Sequence, residues 1–254
     1  MSPKSPVKPA GRRSRAPIAL VTGAGVRVGR AIALALAESG ADVAVHYRSS
    51  VRPAREVVRR IRGLGRRAEA FPADLADPEA CRGLVAQVQS SLGGLDFLVH
   101  SAANFHRASL EATGPDLWDS ALNVNARAGL LLVQAAAPVL RRRGGRVVLI
   151  SDFLATRPVR HYLAHSVSKA AAEGLVRALA VELAPEVSVN GVSPGTVMVP
   201  AGTPERLAER WAAETPLRRN GSARDVAEAV VFLCTGPSFV TGQILRVDGG
   251  RSLA

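Results

Sequence analysis

His165 and Lys169 are the residues from which chemistry can first be argued. They stand four positions apart in LAHSVSKAAAEG, a segment with helical spacing, so an imidazole and an ammonium project from one face toward one place. Tyr162 falls one turn earlier on the same predicted helix. After Lys8 the chain contains a single lysine, Lys169, although Lys and Arg together number 33. A sequence so biased toward arginine would place arginine wherever positive charge alone sufficed, so Lys169 marks a position that requires a compact ammonium. Just upstream, the apolar run Arg146 to Ile150 ends in Ser151 and Asp152. Asn123 and Asn125 interrupt an otherwise apolar helix predicted from Leu117 to Leu140, where a buried asparagine needs a partner.

These groups need a scaffold, and the scaffold is set at the start of the folded body. Ile18 to Gly40 reads as a buried strand, a glycine-bearing turn from Thr22 to Gly29 and an amphipathic helix. Gly23 and Gly29 let the backbone turn sharply and approach a pyrophosphate, with the helix amides facing the anion. Arg27 stands where the middle glycine of a TGxxxGxG pattern usually is, beside Val28, and adds positive charge at the phosphates. The turn is expected to bind a dinucleotide.

The cofactor is chosen after the second strand, Asp42 to His46. The loop carries Tyr47, Arg48, Ser49 and Ser50, and an arginine among hydroxyls suits a 2′-phosphate, whereas an acid at the strand end would suit free ribose hydroxyls. NADPH is the expected cofactor. Asp42 precedes the apolar run and so lies at the wrong end of the strand to compete.

Further strands are predicted at Ala68 to Phe71, Leu95 to His100, Arg146 to Ile150, Val187 to Val192 and Gln243 to Val247, alternating with helices that include Arg55 to Leu64, Pro204 to Glu214 and Ala223 to Cys234. Asp74 and Leu75 follow the third strand, where Asp74 either lies beside the adenine or caps the next helix. Ser101 and Ala102 follow the fourth, small enough for a cofactor to lie on the backbone. Phe105 either stacks on a flat substrate ring or packs under a loop. Pro194 and Gly195 turn at the end of the sixth strand. The expected fold is α/β, a Rossmann-type doubly wound parallel sheet in a single domain over residues 17–254, preceded by a basic, Pro-rich tail over residues 1–16.

The net charge is +12, and Lys4, Lys8, Arg12, Arg13 and Arg15 contribute to it without an offsetting acid. That tail reads either as an arm for nucleic acid or membrane surfaces or as a disordered leader, and the leader is the simpler account. Cys81 and Cys234 form no CxxC pair, so neither a disulfide framework nor a metal site is expected, and a reducing cytoplasm fits. No apolar run approaches the length that spans a bilayer.

From about Ala16 to Leu253 the chain resembles the short-chain dehydrogenase/reductase family. The motifs are TGAGVRVG, the Asp74-Leu75 pair, NVNARAG, SDF, SVSKAA, NGVSPG and TGQILRVDGG, in that order. Within the family it is most similar to pteridine reductases, through Arg27, the HYRSS loop, Phe105, Asp152 in place of serine, and VDGGRSL. The resemblance implies NADPH, a small planar substrate between Phe105 and the nicotinamide, and a homotetramer. It also departs from the family twice. The family's Asn-Asn-Ala-Gly segment is here His100-Ser101-Ala102-Ala103, and the family's catalytic tyrosine is His165.

In the family a tyrosine supplies the proton while the lysine lowers its pKa and holds the nicotinamide ribose; Lys169 retains the ribose role. His165 replaces the tyrosine as acid on one reading, since imidazole titrates near neutrality. On the other, it fills space in a site that binds NADPH and reduces nothing. Asn125, Asp152, His165 and Lys169 are the candidate catalytic residues, with Asn125 ordering a water or the lysine. Phe105 and Tyr162 are the candidate substrate contacts, Tyr162 lying about 10 Å from Lys169 along a helix axis. The expected activity is reduction of a C=N or C=O bond, with a broader carbonyl or 3-oxoacyl reductase and a catalytically silent NADP-binding regulator as alternatives.

Overall fold

A computed structural model describes residues 15–199 and 202–253. The tail expected over residues 1–16 lies outside that range except for its last two positions, and Arg15 already reaches the Gly93 carbonyl at 3.4 Å. Seven parallel strands form one sheet in the order β3-β2-β1-β4-β5-β6-β7: β1 Ile18–Val21, β2 Asp42–Tyr47, β3 Ala68–Pro72, β4 Phe97–His100, β5 Arg146–Ile150, β6 Ser188–Pro194 and β7 Ile244–Val247. The order reverses between β1 and β4, which opens a crevice at the strands' C-terminal ends.

Strand periodicity divides the core. Ala19 and Val21 face one layer, built with α1 (Arg27–Glu38), α2 (Val51–Gly63) and α8 (Ala223–Thr235), while Ile18 and Leu20 face the other. That second layer is built with α3 (Pro78–Leu92), α5 (Ala128–Arg143) and α6 (Leu163–Glu182). Both faces of the sheet are covered, as a parallel sheet requires. Local chemistry sets the helix ends. Asp77 caps α3 with Pro78 in the first turn, Ser222 and Asp225 form a capping box on α8, and Gly93 and Gly144 end α3 and α5 with φ of 86° and 58°.

Four expectations about elements are corrected. The helix predicted from Leu117 to Leu140 is α4 (Pro115–Leu122) and α5 joined by a π-turn, Asn123–Arg127, which rotates Asn125 into the interior. Tyr162, expected on the helix one turn before His165, precedes α6 as its N-cap, with φ −122°. The helix expected from Arg55 starts at Val51, because Pro53 fits a first turn, where no amide is required. β4 begins at Phe97; Asp96 just before it is tied to β1 through its backbone amide, which donates to the Ile18 carbonyl at 2.8 Å, and through its carboxylate, which accepts the Ile18 amide at 2.9 Å. Among the described residues no helix is long and apolar enough to cross a membrane.

Candidate active site

A cavity of about 680 Å³ opens where the strand order reverses. Its floor at the end of β1 is the glycine turn. Gly23 has φ +64°, and a Cβ on it would stand 3.0 Å from the Ala102 backbone; one on Gly29 would run into the Gly23 carbonyl. Gly23 is therefore required by turning and by close approach, and Gly29, inside α1, by close approach alone. Arg27 takes φ 51°, the left-handed conformation a glycine would adopt without strain. Gly23, Arg27, Val28 and Gly29 all line the cavity.

Arg48 and Ser49 line the same end, on the short loop between β2 and α2. His46 also borders the cavity, but it is a buried strut: its Nδ1 accepts the Gly23 amide at 3.0 Å, so its Nε2 carries the proton donated to the Ala73 carbonyl at 3.1 Å. Burial, opposed by the Ala73 bond and the Asp74 charge, pushes its pKa down to about 4. Tyr47, expected on the cofactor, points the other way and packs against the α1 and α8 core, because alternate strand residues face opposite sides. Asp74 does not cap α3, a task Asp77 performs. Its carboxylate accepts the Ala76 amide at 3.0 Å, and Asp74 and Leu75 form cavity wall.

Ser101 and Ala102 follow β4, and both amides donate to Thr22 Oγ1 at 3.0 Å. The Thr22 hydroxyl in turn donates to His100 Nδ1 at 2.9 Å, and His100 Nε2 donates to the Val124 carbonyl at 2.9 Å. His100 thus fastens β1, β4 and the π-turn together as a neutral ring, its pKa pushed down to about 3 by burial and by the Lys169 charge. Sequence reasoning noted the histidine as a departure without a role; a polar residue at the buried end of a strand was the available signal. Pro194 is the last residue of β6, and Gly195 donates its amide to the Val247 carbonyl at 3.0 Å; both face the cavity.

The reactive groups meet at the end of β5. Asp152 caps a short 3₁₀ turn, Phe153–Ala155, with Oδ1 accepting the Leu154 amide at 2.9 Å. Its other oxygen, Oδ2, lies 3.4 Å from His165 Nε2. His165 is 3% exposed, and its Nδ1 meets the Asn104 carbonyl at 3.2 Å. Lys169, one turn on along α6, is equally buried and donates from Nζ to the Ile150 carbonyl at 2.7 Å. Burial pushes its pKa down to about 8, against the opposing pull of Asp152. Phe105 packs on Tyr162 with ring centroids 4.8 Å apart and meets His165 edge-on at 4.5 Å, so these rings form one aromatic wall.

Asn125 is placed differently from expectation. It does not touch Lys169. Its side chain is bound to the Asn104 backbone and to Ser168, behind the cavity wall. Asn104 and Ser168 were missed by sequence reasoning, as were Trp211 on α7 (Glu205–Ala213) and Arg251, which close the far side of the cavity. Asn104 acts through its backbone, which leaves no mark on residue type.

Comparison with known proteins agrees with this geometry. A family model described as Enoyl-(Acyl carrier protein) reductase matches residues 23–252. A short-chain type dehydrogenase/reductase of Picea abies is 36% identical over 248 residues, spanning 92% of each chain. The 3-oxoacyl-[acyl-carrier-protein] reductase FabG of Staphylococcus aureus is 33% identical over 237 residues, 91% of this chain and 96% of that one. A crystal structure of a short chain dehydrogenase from Burkholderia cenocepacia in complex with NADP has a TM-score of 0.89 at 40% identity, covering 96% of this chain and all of the other. Similarity of this extent, together with a parallel sheet reversing at β1 and β4 and a lysine helix beneath the crevice, means that the chain belongs to the short-chain dehydrogenase/reductase family.

Proposed function

We propose that the chain is an NADPH-dependent reductase that delivers hydride to a C=O or C=N bond of a small molecule, with His165 as proton donor. The observation that carries this reading is His165 Nε2 at 3.4 Å from Asp152 Oδ2, on the same cavity wall as Lys169. The cavity suits the cofactor: glycines whose Cβ atoms would collide with backbone line its floor, and Arg27 and Arg48 stand exposed at the 2′-phosphate end. Solved relatives with similar backbones hold NADP or NADPH.

Bound NADPH supplies the hydride. Lys169 would hold the ribose hydroxyls with the ammonium protons not given to Ile150. His165 gives the proton from Nε2, since Nδ1 is committed to the Asn104 carbonyl. Asp152, partly open to solvent, stabilises the charged ring and connects it to water for reprotonation. Phe105, 54% exposed at the mouth, offers a face to a planar, pterin-like substrate, with Tyr162 as a neighbouring contact. A broad carbonyl or 3-oxoacyl reductase is the second substrate reading, favoured by the similarity to FabG. We place the protein in the cytoplasm as a homotetramer, with a small-molecule substrate and no nucleic-acid partner.

The test is NADPH consumption with pterins, dihydrofolate and simple ketones or 3-oxoacyl thioesters, for wild type and Phe105→Ala. Turnover of a pterin that collapses in Phe105→Ala supports the planar reading, and turnover of carbonyls indifferent to that change supports the broader one. NADPH binding with no turnover of any substrate overturns the reductase reading in favour of a silent NADP-binding regulator.

A further inference from the structure

Asn125 and His165 belong to a closed ring of hydrogen bonds that no reading of the separate residues contains. Asn125 Oδ1 accepts the Asn104 amide at 2.7 Å, and its Nδ2 donates to the Asn104 carbonyl at 3.0 Å. That carbonyl also faces His165 Nδ1 at 3.2 Å. The second Nδ2 proton goes to Ser168 Oγ at 2.9 Å, and Ser168 Oγ donates to the backbone carbonyl of His165 at 2.7 Å. Asn125 therefore grips His165 at both ends, its ring through Asn104 and its backbone through Ser168. Asn125 is 1% exposed and Ser168 fully buried, so water does not substitute for these bonds. Asn104 is itself fixed, since its Nδ2 donates to the carbonyl and hydroxyl of Ser120 on α4 at 3.2 and 2.8 Å.

From this we infer that Asn125 is a positioning residue that sets the tautomer of His165, holding the proton on Nδ1 and turning Nε2 toward Asp152. A carbonyl oxygen only accepts, so the Nδ1 that faces Asn104 must carry hydrogen. The exchangeable proton is then confined to Nε2, the atom next to Asp152. Without the clamp the neutral ring is free to move its proton to Nε2, which leaves Nδ1 an acceptor without a donor in the wall. The π-turn is the backbone device that makes this possible. A regular helix across Asn123–Arg127 would carry Asn125 off the line between Asn104 and Ser168. The inference rests on the reductase reading only for its catalytic consequence; the tautomer itself is a property of the protein alone.

The experiment is ¹⁵N NMR of the His165 ring from about pH 6 to 9 in wild type, Asn125→Asp and Ser168→Ala, with kcat and KM measured beside it. Asn125→Asp keeps an acceptor for the Asn104 amide and removes both donated bonds. In wild type the neutral ring should show Nδ1 protonated and Nε2 bare. In Asn125→Asp both nitrogens should move, and kcat should fall about 100-fold while KM for NADPH changes little, the signature of a misplaced acid. Ser168→Ala should shift the same signals less and serves if Asn125→Asp does not fold. A wild-type neutral ring protonated on Nε2, or ring signals unchanged in both variants, overturns the inference. Absence of turnover in wild type would instead count against the reductase reading and leave the ring measurement to decide this one.

Discussion

His165 Nε2 and Asp152 Oδ2 lie 3.4 Å apart, with the histidine 3% exposed and the carboxylate held by its other oxygen to the Leu154 amide. The carboxylate is thus held on one side by a backbone amide and faces the imidazole on the other.

Removing either partner should separate catalysis from binding. His165→Phe should lower kcat by about 100- to 10,000-fold, the usual worth of a positioned general acid, with NADPH affinity nearly unchanged. Asp152→Asn should lower kcat with a similarly small effect on binding, because it leaves the imidazolium without a counter-charge. Steady-state kinetics beside fluorescence titration of NADPH would check both. Full activity in His165→Phe would exclude the histidine as donor.

Stability should fall in mild acid because two histidines are buried neutral. An ordinary imidazole titrates near 6.5, whereas His46 is pushed down to about 4 and His100 to about 3. Their folded pKa values lie below the unfolded value, so the stabilisation is complete above pH 6.5 and is lost as pH falls from there toward 4 and 3. Well below pH 6.5 each group loses about 1.4 kcal/mol per pH unit, so the two together lose about 3 kcal/mol between pH 6.5 and 5. Urea unfolding from pH 8 to 5 would show it, and His100→Asn should roughly halve the slope.

Lys169 should be a cost to the fold. Its pKa is lowered from 10.5 to about 8 by burial, so at neutral pH the folded protein carries a charge it disfavours by roughly 3 kcal/mol. Lys169→Met removes that cost and leaves the Ile150 carbonyl without its donor, which takes back about 1–3 kcal/mol. The variant should be equal or more stable at pH 7 and bind NADPH more weakly. Because the folded value lies below the unfolded one, wild type gains stability as pH rises from 8 to 10.5, and the variant's advantage should vanish there. Thermal melts at pH 7 and 10 decide this.

The glycine turn gives opposite expectations at two positions. Gly29→Ala sets a Cβ against the Gly23 carbonyl and should destabilise by about 2 kcal/mol or more. Arg27→Gly relieves a left-handed φ of 51° worth about 1–2 kcal/mol and gives up a little of that to chain entropy. It should raise the melting temperature slightly while weakening NADPH binding through the lost charge. A lower melting temperature for Arg27→Gly would show that its side chain supports the turn.

Periodicity and glycine placement were enough to read the architecture from the sequence. The short apolar runs, the turn from Thr22 to Gly29 and the caps are local features, and local features determine which segments become strands and helices. The pairing of His165 with Lys169 was legible for the same reason, since four residues on a helix fix a shared face. Other relations are decided by chain segments far apart in sequence. Tyr47 packs on a core layer that includes α8, and Asn125 at the π-turn is held by Asn104 and Ser168. The surroundings of His165 are likewise assembled from three distant places, Asp152 after β5, the Asn104 carbonyl after β4, and Asn125 and Ser168 behind them. A backbone carbonyl belongs to every residue type, so nothing in the sequence marks the one that holds the proton; only tertiary packing selects it.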